Sequence, residues 1–373
     1  MTQSNARCRP ARTRFTDASS ENRRDRRSVL LALCVIGLSS CARSPVGETP
    51  PDQTVDHVSA DQCLLRPARV DVLAVITVGD DTARYLNLFS STAGLLVEHL
   101  TNPATGAPVR DLHFGVVTSK VDLPTICQEK NGVVPNDGTL LKPPPSATSM
   151  KPAGYPQDLP WPPPWPYLSG DLLPKLGQAK LGSLASIYVG EAWSQTRAEY
   201  ECRVTQFLQS TALALDGRNG SFLRPDSLLV VLLLADREDC STKNAAFWSS
   251  RDPWRMAHCS STAACYSGSA DFYSVEHYAR RFKTGHPLGR TIIAITGKAG
   301  APTYLSQYGC KVVVDVCKAI RPTERLAALQ KQIGTSETQQ VSVHWIDACS
   351  LIKQDVSAVE ALADKILRIV QAP

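Results

Sequence analysis

The stretch LLVVLLLADREDC, Leu228 to Cys240, decides the fold. Eight apolar residues, Leu228 to Ala235, stand between Pro225 and Asp236. A bounded run of that length suits a strand buried on both faces better than a helix, and such a strand needs a layer above it and a layer below. In open parallel sheets ligands gather beyond the carboxyl ends of the strands, so Asp236, Glu238 and Asp239 stand where a site belongs.

Working outward, Val70 to Val78, VDVLAVITV, is a β-branched apolar run and the first core strand. After Gly79, apolar residues at Ala83, Leu86, Phe89, Ala93, Leu96, Val97 and Leu100 fall at helical spacing. Asp80 or Asp81 is placed to cap that helix, accepting amide protons of its first turn. Leu112 to Ser119, LHFGVVTS, is a second strand, and Thr196 to Leu215 mixes apolar and polar residues at helical spacing. Further on, Asp271 to Thr284 reads as a helix with Phe272, Val275, Tyr278, Ala279 and Phe282 on one side. Arg290 to Thr296 and Val341 to Ile346 read as strands, and Ile352, Val356, Val359, Ala363, Ile366 and Val370 form the stripe of a closing helix. Strand alternating with helix predicts an α/β domain, doubly wound, its mostly parallel sheet flanked by helices on both faces.

Residues 120 to 180 break this rhythm. The proline-dense segment from Lys142 to Tyr167, with Trp161-Pro162-Pro163-Pro164-Trp165-Pro166, excludes helix and central strand. Two readings remain: a polyproline surface loop pinned to the domain by its tryptophans, or an aromatic recognition platform on a loop.

Residues 1 to 40 contain eight arginines and three acids, which is the whole of the formal charge of +5; the rest of the chain is neutral. A nucleic-acid partner therefore has no electrostatic basis. Arg23, Arg24, Arg26 and Arg27 precede an apolar run, Val29 to Leu38, too short to cross roughly 30 Å of hydrocarbon. Leu38-Ser39-Ser40-Cys41 follows and resembles a bacterial lipobox, in which the cysteine thiol takes a diacylglycerol. Arg26-Arg27-Ser28-Val29-Leu30 also resembles a twin-arginine signal. The organisation expected is a signal peptide over 1–40, a lipid-anchored tether over 41–69, and one domain over 70–373 with a proline-rich insertion at about 120–180. The product is expected to be exported and lipid-anchored to the cell envelope, on the outer membrane if the cell has two membranes. In that compartment Cys63, Cys127, Cys202, Cys240, Cys259, Cys265, Cys310, Cys317 and Cys349 read as disulfide partners, and their odd number leaves at least one free or pairing between molecules. No CxxC occurs, so the common zinc spacing is missing.

Four stretches, VDVLAVITV with its helix, LHFGVVTS, NGSFLRPDSLLVVLLLADREDCS, and SVEHYARRF followed by RTIIAIT, resemble the von Willebrand factor type A domain, in the version found in secreted bacterial lipoproteins of the myxobacterial type. The resemblance spans about 70 to 370. It implies a divalent cation, magnesium or calcium, held by oxygen ligands at the top of the sheet, with one position left open for a partner's carboxylate. Asp236 matches the final aspartate of that ligand set. The D-x-S-x-S motif is represented by Thr77, Gly79 and Asp81. Gly79 has no side-chain oxygen and Thr77 brings no charge, so Asp81 and Asp236 are the metal candidates of a degenerate site. No cofactor is expected beyond weak magnesium or calcium. The group commonly carries a cysteine about a dozen residues before the position of Cys202, where this chain has none; Cys202 is the implied free thiol. Cys240 is expected to pair with Cys259 or Cys265, and Cys349 with Cys310 or Cys317.

No GxSxG, HExxH or phosphate-loop spacing is present. The function expected is a membrane-anchored binding protein for a protein or cell-envelope partner, without catalysis and without a working metal site. The alternative is an extracytoplasmic metal-dependent enzyme using the acids from Asp236 to Asp239. Asp239 with His258 and Cys259 is a further, coincidental constellation.

Overall fold

The computed structural model describes residues 69–76, 83–104, 107–121, 137–142, 151, 155–162, 164–176, 178–195, 205–235, 238–243, 271–286, 290–297, 304–307, 310–313, 324–335 and 340–371. Residues 1–68, which hold the expected signal peptide, Cys41 and all of the expected tether except Arg69, lie outside these residues; Arg69 opens the first strand.

Leu228–Leu234 is strand β4, and all seven of its residues are buried. Its neighbours are β1 (Arg69–Ile76), parallel in the register Val70↔Leu228, and β5 (Thr291–Gly297), parallel in the register Val230↔Ile292. β2 (Asp111–Thr118) lies parallel on the other side of β1, and β8 (Val341–Asp347) lies parallel on β5. A three-residue strand, β3 (Tyr167–Ser169), joins β2 antiparallel. The order is β3-β2-β1-β4-β5-β8. The chain leaves β1 toward one edge and returns through β4 toward the other, a topology compatible with a doubly wound α/β domain. A separate antiparallel hairpin is made by β6 (Tyr304–Gln307) and β7 (Cys310–Val313).

Alternation along the strands feeds two cores. Val70, Val72, Ala74 and Ile76 of β1 face one side with Val230, Leu232 and Leu234 of β4; Leu73 and Val75 face the other with Leu229, Val231 and Leu233. The first core is covered by α1 (Ala83–Thr101), α3 (Gln178–Gln195) and α8 (Ser357–Gln371). The second is covered by α4 (Phe207–Ala214), α5 (Val275–Gly285) and α6 (Glu324–Ile333). Both layers required by the Leu228 run are present. Two short α-helices, α2 (Leu173–Leu176) and α7 (Ala348–Ile352), and a 3-10 turn at Gly170–Leu172 are also described.

Helices α1 and α3 meet almost backbone to backbone. A Cβ on Gly94 would stand 2.9 Å from the Gly182 carbonyl oxygen, and Ser186 Oγ donates to the Ser90 carbonyl at 2.9 Å. A larger residue at Gly94 therefore has to push the helices apart.

Several elements differ from the sequence reading. Helix α3 occupies residues expected partly in an irregular segment, because its Leu181, Leu184, Ala185 and Val189 find the first core. The helix expected from Asp271 starts at Val275, where the Ser274 side chain accepts the His277 amide; Phe272 instead bridges Thr242. The closing stripe is split, with Ile352 in α7 and Val359 in α8, separated by Gln354 at φ 66°. Within the proline-dense segment, Trp161 and Trp165 pack partly buried on the first core. The Tyr155 and Trp161 rings meet edge-on at 5.0 Å, and Tyr188 Oη donates to the Trp165 carbonyl at 3.1 Å. This is the pinned-loop arrangement.

Candidate functional site

The carboxyl end of the sheet is tied together by three segments: Ser119–Val121 after β2, Thr205–Gln206 before α4, and Glu238–Thr242 after β4. Ser119 donates its amide to the Ile76 carbonyl at 2.8 Å and accepts the Gln206 amide at 2.8 Å. Gln206 Nε2 donates to the Val121 carbonyl, and Gln206 Oε1 accepts the Thr242 amide at 3.1 Å. Cys240 donates its amide to the Thr205 carbonyl at 2.6 Å, while Thr205 Oγ1 donates to the Glu238 carbonyl at 2.7 Å. Backbone and side-chain bonds thus close the floor of this end without an ordered strand.

Glu238 and Asp239 stand at the expected end of the sheet but lie buried inside that floor. Asp239 is fully buried and accepts from the Leu208 amide at 3.0 Å and from Ser241 Oγ at 2.7 Å, so its carboxylate satisfies the first turn of α4. Arg325, itself buried, pairs with Asp239 at 3.0 Å, donates to the Tyr273 carbonyl at 3.0 Å and covers the Phe272 ring. Glu238 does the same service for α6. It accepts the Glu324 amide, the Arg325 amide at 3.0 Å and the Asp239 amide at 2.9 Å. Burial pushes the Glu238 carboxyl up to about 7 against the pull of these amides, with the Asp239 charge adding to the rise. Two of the three acids assigned to the enzymatic alternative are therefore helix caps.

Lys120 is different. Its side chain is fully buried one step beyond Ser119, and three buried side-chain atoms among the described residues lack any hydrogen-bond partner: Ser119 Oγ, Lys120 Nζ and Thr291 Oγ1. Two of the three are neighbours at the carboxyl end. Burial alone pushes the Lys120 amine down to about 7; no charged neighbour contributes. Lys120 went unmarked in the sequence because a lysine following a strand reads as its exposed end. The one available signal was Val121 behind it, which continues the apolar run past the lysine.

The opposite end of the sheet carries a closed charge network. Asp71, buried near the start of β1, accepts Arg224 Nε at 2.9 Å, Arg224 Nη2 at 2.6 Å, the Arg224 amide at 2.8 Å and Ser227 Oγ at 2.6 Å. Arg224 also pairs with Asp111, and Arg69 joins Asp111 to Asp226 at 2.8 Å each. Each carboxylate there faces an arginine, as a structural clamp requires.

Of the residues singled out from sequence, Cys240 and Cys349 are disulfide-bonded. Asp81 and Asp236, with Thr77 and Gly79, lie outside the described residues, as do Cys202, Cys259, Cys265 and Cys317 and, with it, His258; Cys310 opens β7 but its side chain is outside them too. Among the described residues, no group of three or more His, Cys, Asp or Glu side chains is placed to hold a metal ion. Among them, too, no helix is long and apolar enough to cross a membrane. The fold and this end of the sheet define an α/β domain with a six-stranded, mostly parallel sheet. No family model matches the chain, and no curated protein matches it.

Proposed function

We propose that the chain is an exported lipoprotein, anchored through Cys41, whose domain is a type A-like domain with long cysteine- and proline-rich loop insertions. It binds a protein or cell-envelope partner at the carboxyl end of its sheet and needs no metal. The observation that carries the binding reading over the enzymatic one is the burial of Glu238 and Asp239 as caps of α6 and α4. Asp239 is engaged by a helix amide, Ser241 Oγ and Arg325, and Glu238 by three backbone amides, so both carboxylates are committed inside the fold. The sheet order is compatible with the type A-like reading, because the chain's path reverses between β1 and β4 as in doubly wound domains. The substitution of Gly79 for a side-chain ligand supports metal independence.

Envelope extract passed over the immobilised mature chain tests the proposal. One partner is expected to be retained equally in magnesium, in calcium and in a chelator, and released by soluble mature chain. Retention that disappears in chelator would overturn metal independence, and turnover of substrate requiring Asp236 would restore the enzyme.

A further inference from the structure

We infer that the groove between edge strand β8 and helix α8 is a binding site for a free, small aliphatic monocarboxylate, received by the Lys365 ammonium beside His344. The groove runs along the flank of the sheet, so the inference does not depend on the partner proposed above. Strand β8 closes the described sheet at one edge. On the face of β8 that carries His344 and Ile346, α8 presents Ala358, Ala361, Leu362 and Lys365, which at i, i+3, i+4 and i+7 share one side of the helix. Alanine at two of those four positions leaves a cavity of about 320 Å³ where a further strand would otherwise supply side chains. Ile346 and Leu362 are buried, whereas His344 and Ala358 are half-buried and Ala361 is exposed, so the cavity opens to solvent. That volume equals about ten waters and stands at the small end for ligand sites.

The class of ligand follows from the two kinds of surface in the groove. Lys365 is only 8% exposed, and its Nζ stands 2.6 Å from His344 Nε2, which is also 3.0 Å from Ser342 Oγ. An ammonium can only donate, so His344 accepts from it as a neutral imidazole. That contact solvates the ammonium without adding an opposite charge. A carboxylate adds one, and its bond to an ammonium is about twice as strong as a bond between neutral groups. Phosphate sites recruit free amides at a helix N-terminus, and here the first amides of α8 are taken. The Ser357 amide goes to Asp355 at 3.1 Å, and the Val359 and Glu360 amides go to the Val356 carbonyl at 2.9 and 3.1 Å. The remaining wall is carbon, from Ile346, Leu362, Ala358 and Ala361, and it fits a short aliphatic body.

Sodium butyrate is the probe, titrated into the mature chain carrying histidine rings labelled with nitrogen-15. The His344 ring signals are assigned by their loss in His344→Gln. At the same pH and ionic strength, n-butanol supplies the carbon chain without the charge, and phosphate the charge without the chain. The expected result is a saturable movement of the His344 signals with butyrate, binding of n-butanol weaker by about tenfold or more, and no saturation with phosphate. Lys365→Met keeps the length of the stem and drops the charge; it is expected to weaken butyrate by about tenfold or more and to leave n-butanol unchanged. Ala361→Leu fills the groove from its exposed rim and is expected to abolish binding of both. Butyrate that moves no His344 signal overturns the inference, as does n-butanol binding as tightly as butyrate or phosphate binding more tightly. Should Lys365→Met fail to fold, Ala361→Leu still decides, and undiminished butyrate binding by that variant overturns the inference. No envelope partner enters these measurements, so failure of the proposed function leaves them unaffected.

Discussion

Asp239→Ala separates a structural acid from a functional one. The carboxylate is fully buried, holds the Leu208 amide and Ser241 Oγ, and pairs at 3.0 Å with an arginine that is only 4% exposed. Losing an N-cap costs about 1 kcal/mol. Leaving Arg325 buried without its partner costs about 3 kcal/mol more, at the lower end for a broken buried pair. The sum, about 4 kcal/mol, is a large share of the roughly 5–15 kcal/mol that stabilises a folded domain. It corresponds to a fall in Tm of about 8 °C for a domain of this size. Asp239→Asn retains an oxygen for the Leu208 amide and gives up only the charge, so its cost is about 3 kcal/mol. Combining Asp239→Asn with Arg325→Met removes both charges and recovers most of that loss, so the double variant costs about 1 kcal/mol and less than either single. Urea unfolding followed by circular dichroism measures Asp239→Ala and, with the parent, Asp239→Asn, Arg325→Met and their combination, closes the cycle. If Asp239→Ala costs less than about 1 kcal/mol, the carboxylate holds nothing together and the acids after β4 return as candidates for catalysis.

Stability should pass through a minimum near pH 7. Glu238 keeps its proton longer in the folded chain than in the unfolded one, so its contribution falls as pH rises from the ordinary glutamate range to about 7. Lys120 binds its proton less well when folded, so stability climbs from about 7 toward the ordinary lysine range, by up to about 1.4 kcal/mol per pH unit. Glu238→Gln and Lys120→Met should each flatten one arm in denaturant titrations at stepped pH. Gly94→Ala should destabilise by about 1–3 kcal/mol, because its Cβ meets the Gly182 carbonyl; an unchanged urea midpoint would contradict the close packing of α1 on α3. Trp161→Ala should cost about 2 kcal/mol, roughly half the price of a fully buried tryptophan, and leave partner retention intact. The reverse pattern, full stability with lost retention, would make the proline-dense loop the recognition platform. Millimolar magnesium or calcium should leave Tm unchanged, and a shift abolished by Asp236→Ala would establish a working cation site.

The central strand was legible because burial on both faces writes itself as an uninterrupted apolar run, and Leu228 to Leu234 is buried at every position. The flanking strands and α1 were legible for the same local reason. What escaped was whatever depends on distant residues. Helix α6 is only ten residues long, and its first amides are held by Glu238, some 86 positions earlier. Strand β3 exists through three residues of pairing with β2. The break between α7 and α8 falls at Lys353-Gln354, where neither glycine nor proline announces it. The acids after β4 misled for the same reason. Locally, D-R-E-D following an apolar strand reads as a solvated end; only the arrival of α4 and α6 buries Glu238 and Asp239.

The two ends of the sheet then differ in one physical respect that composition cannot reveal. At the amino end, Asp71, Asp111 and Asp226 face Arg224 and Arg69, and charge is met by charge. At the carboxyl end, Glu238 and Asp239 are met by amides and Arg325, yet the Ser119 hydroxyl and the Lys120 amine have no hydrogen-bond partner among the described residues. Had both ends been built only for stability, Lys120 would be better as methionine, which fills similar space and leaves no polar atom behind. Comparing Lys120→Met with the parent therefore tests more than stability. A variant that melts higher means that stability is given up at this end, as functional sites commonly require. A variant that melts lower means that the amine holds the fold, and the carboxyl end of β2 is then structural like the amino end.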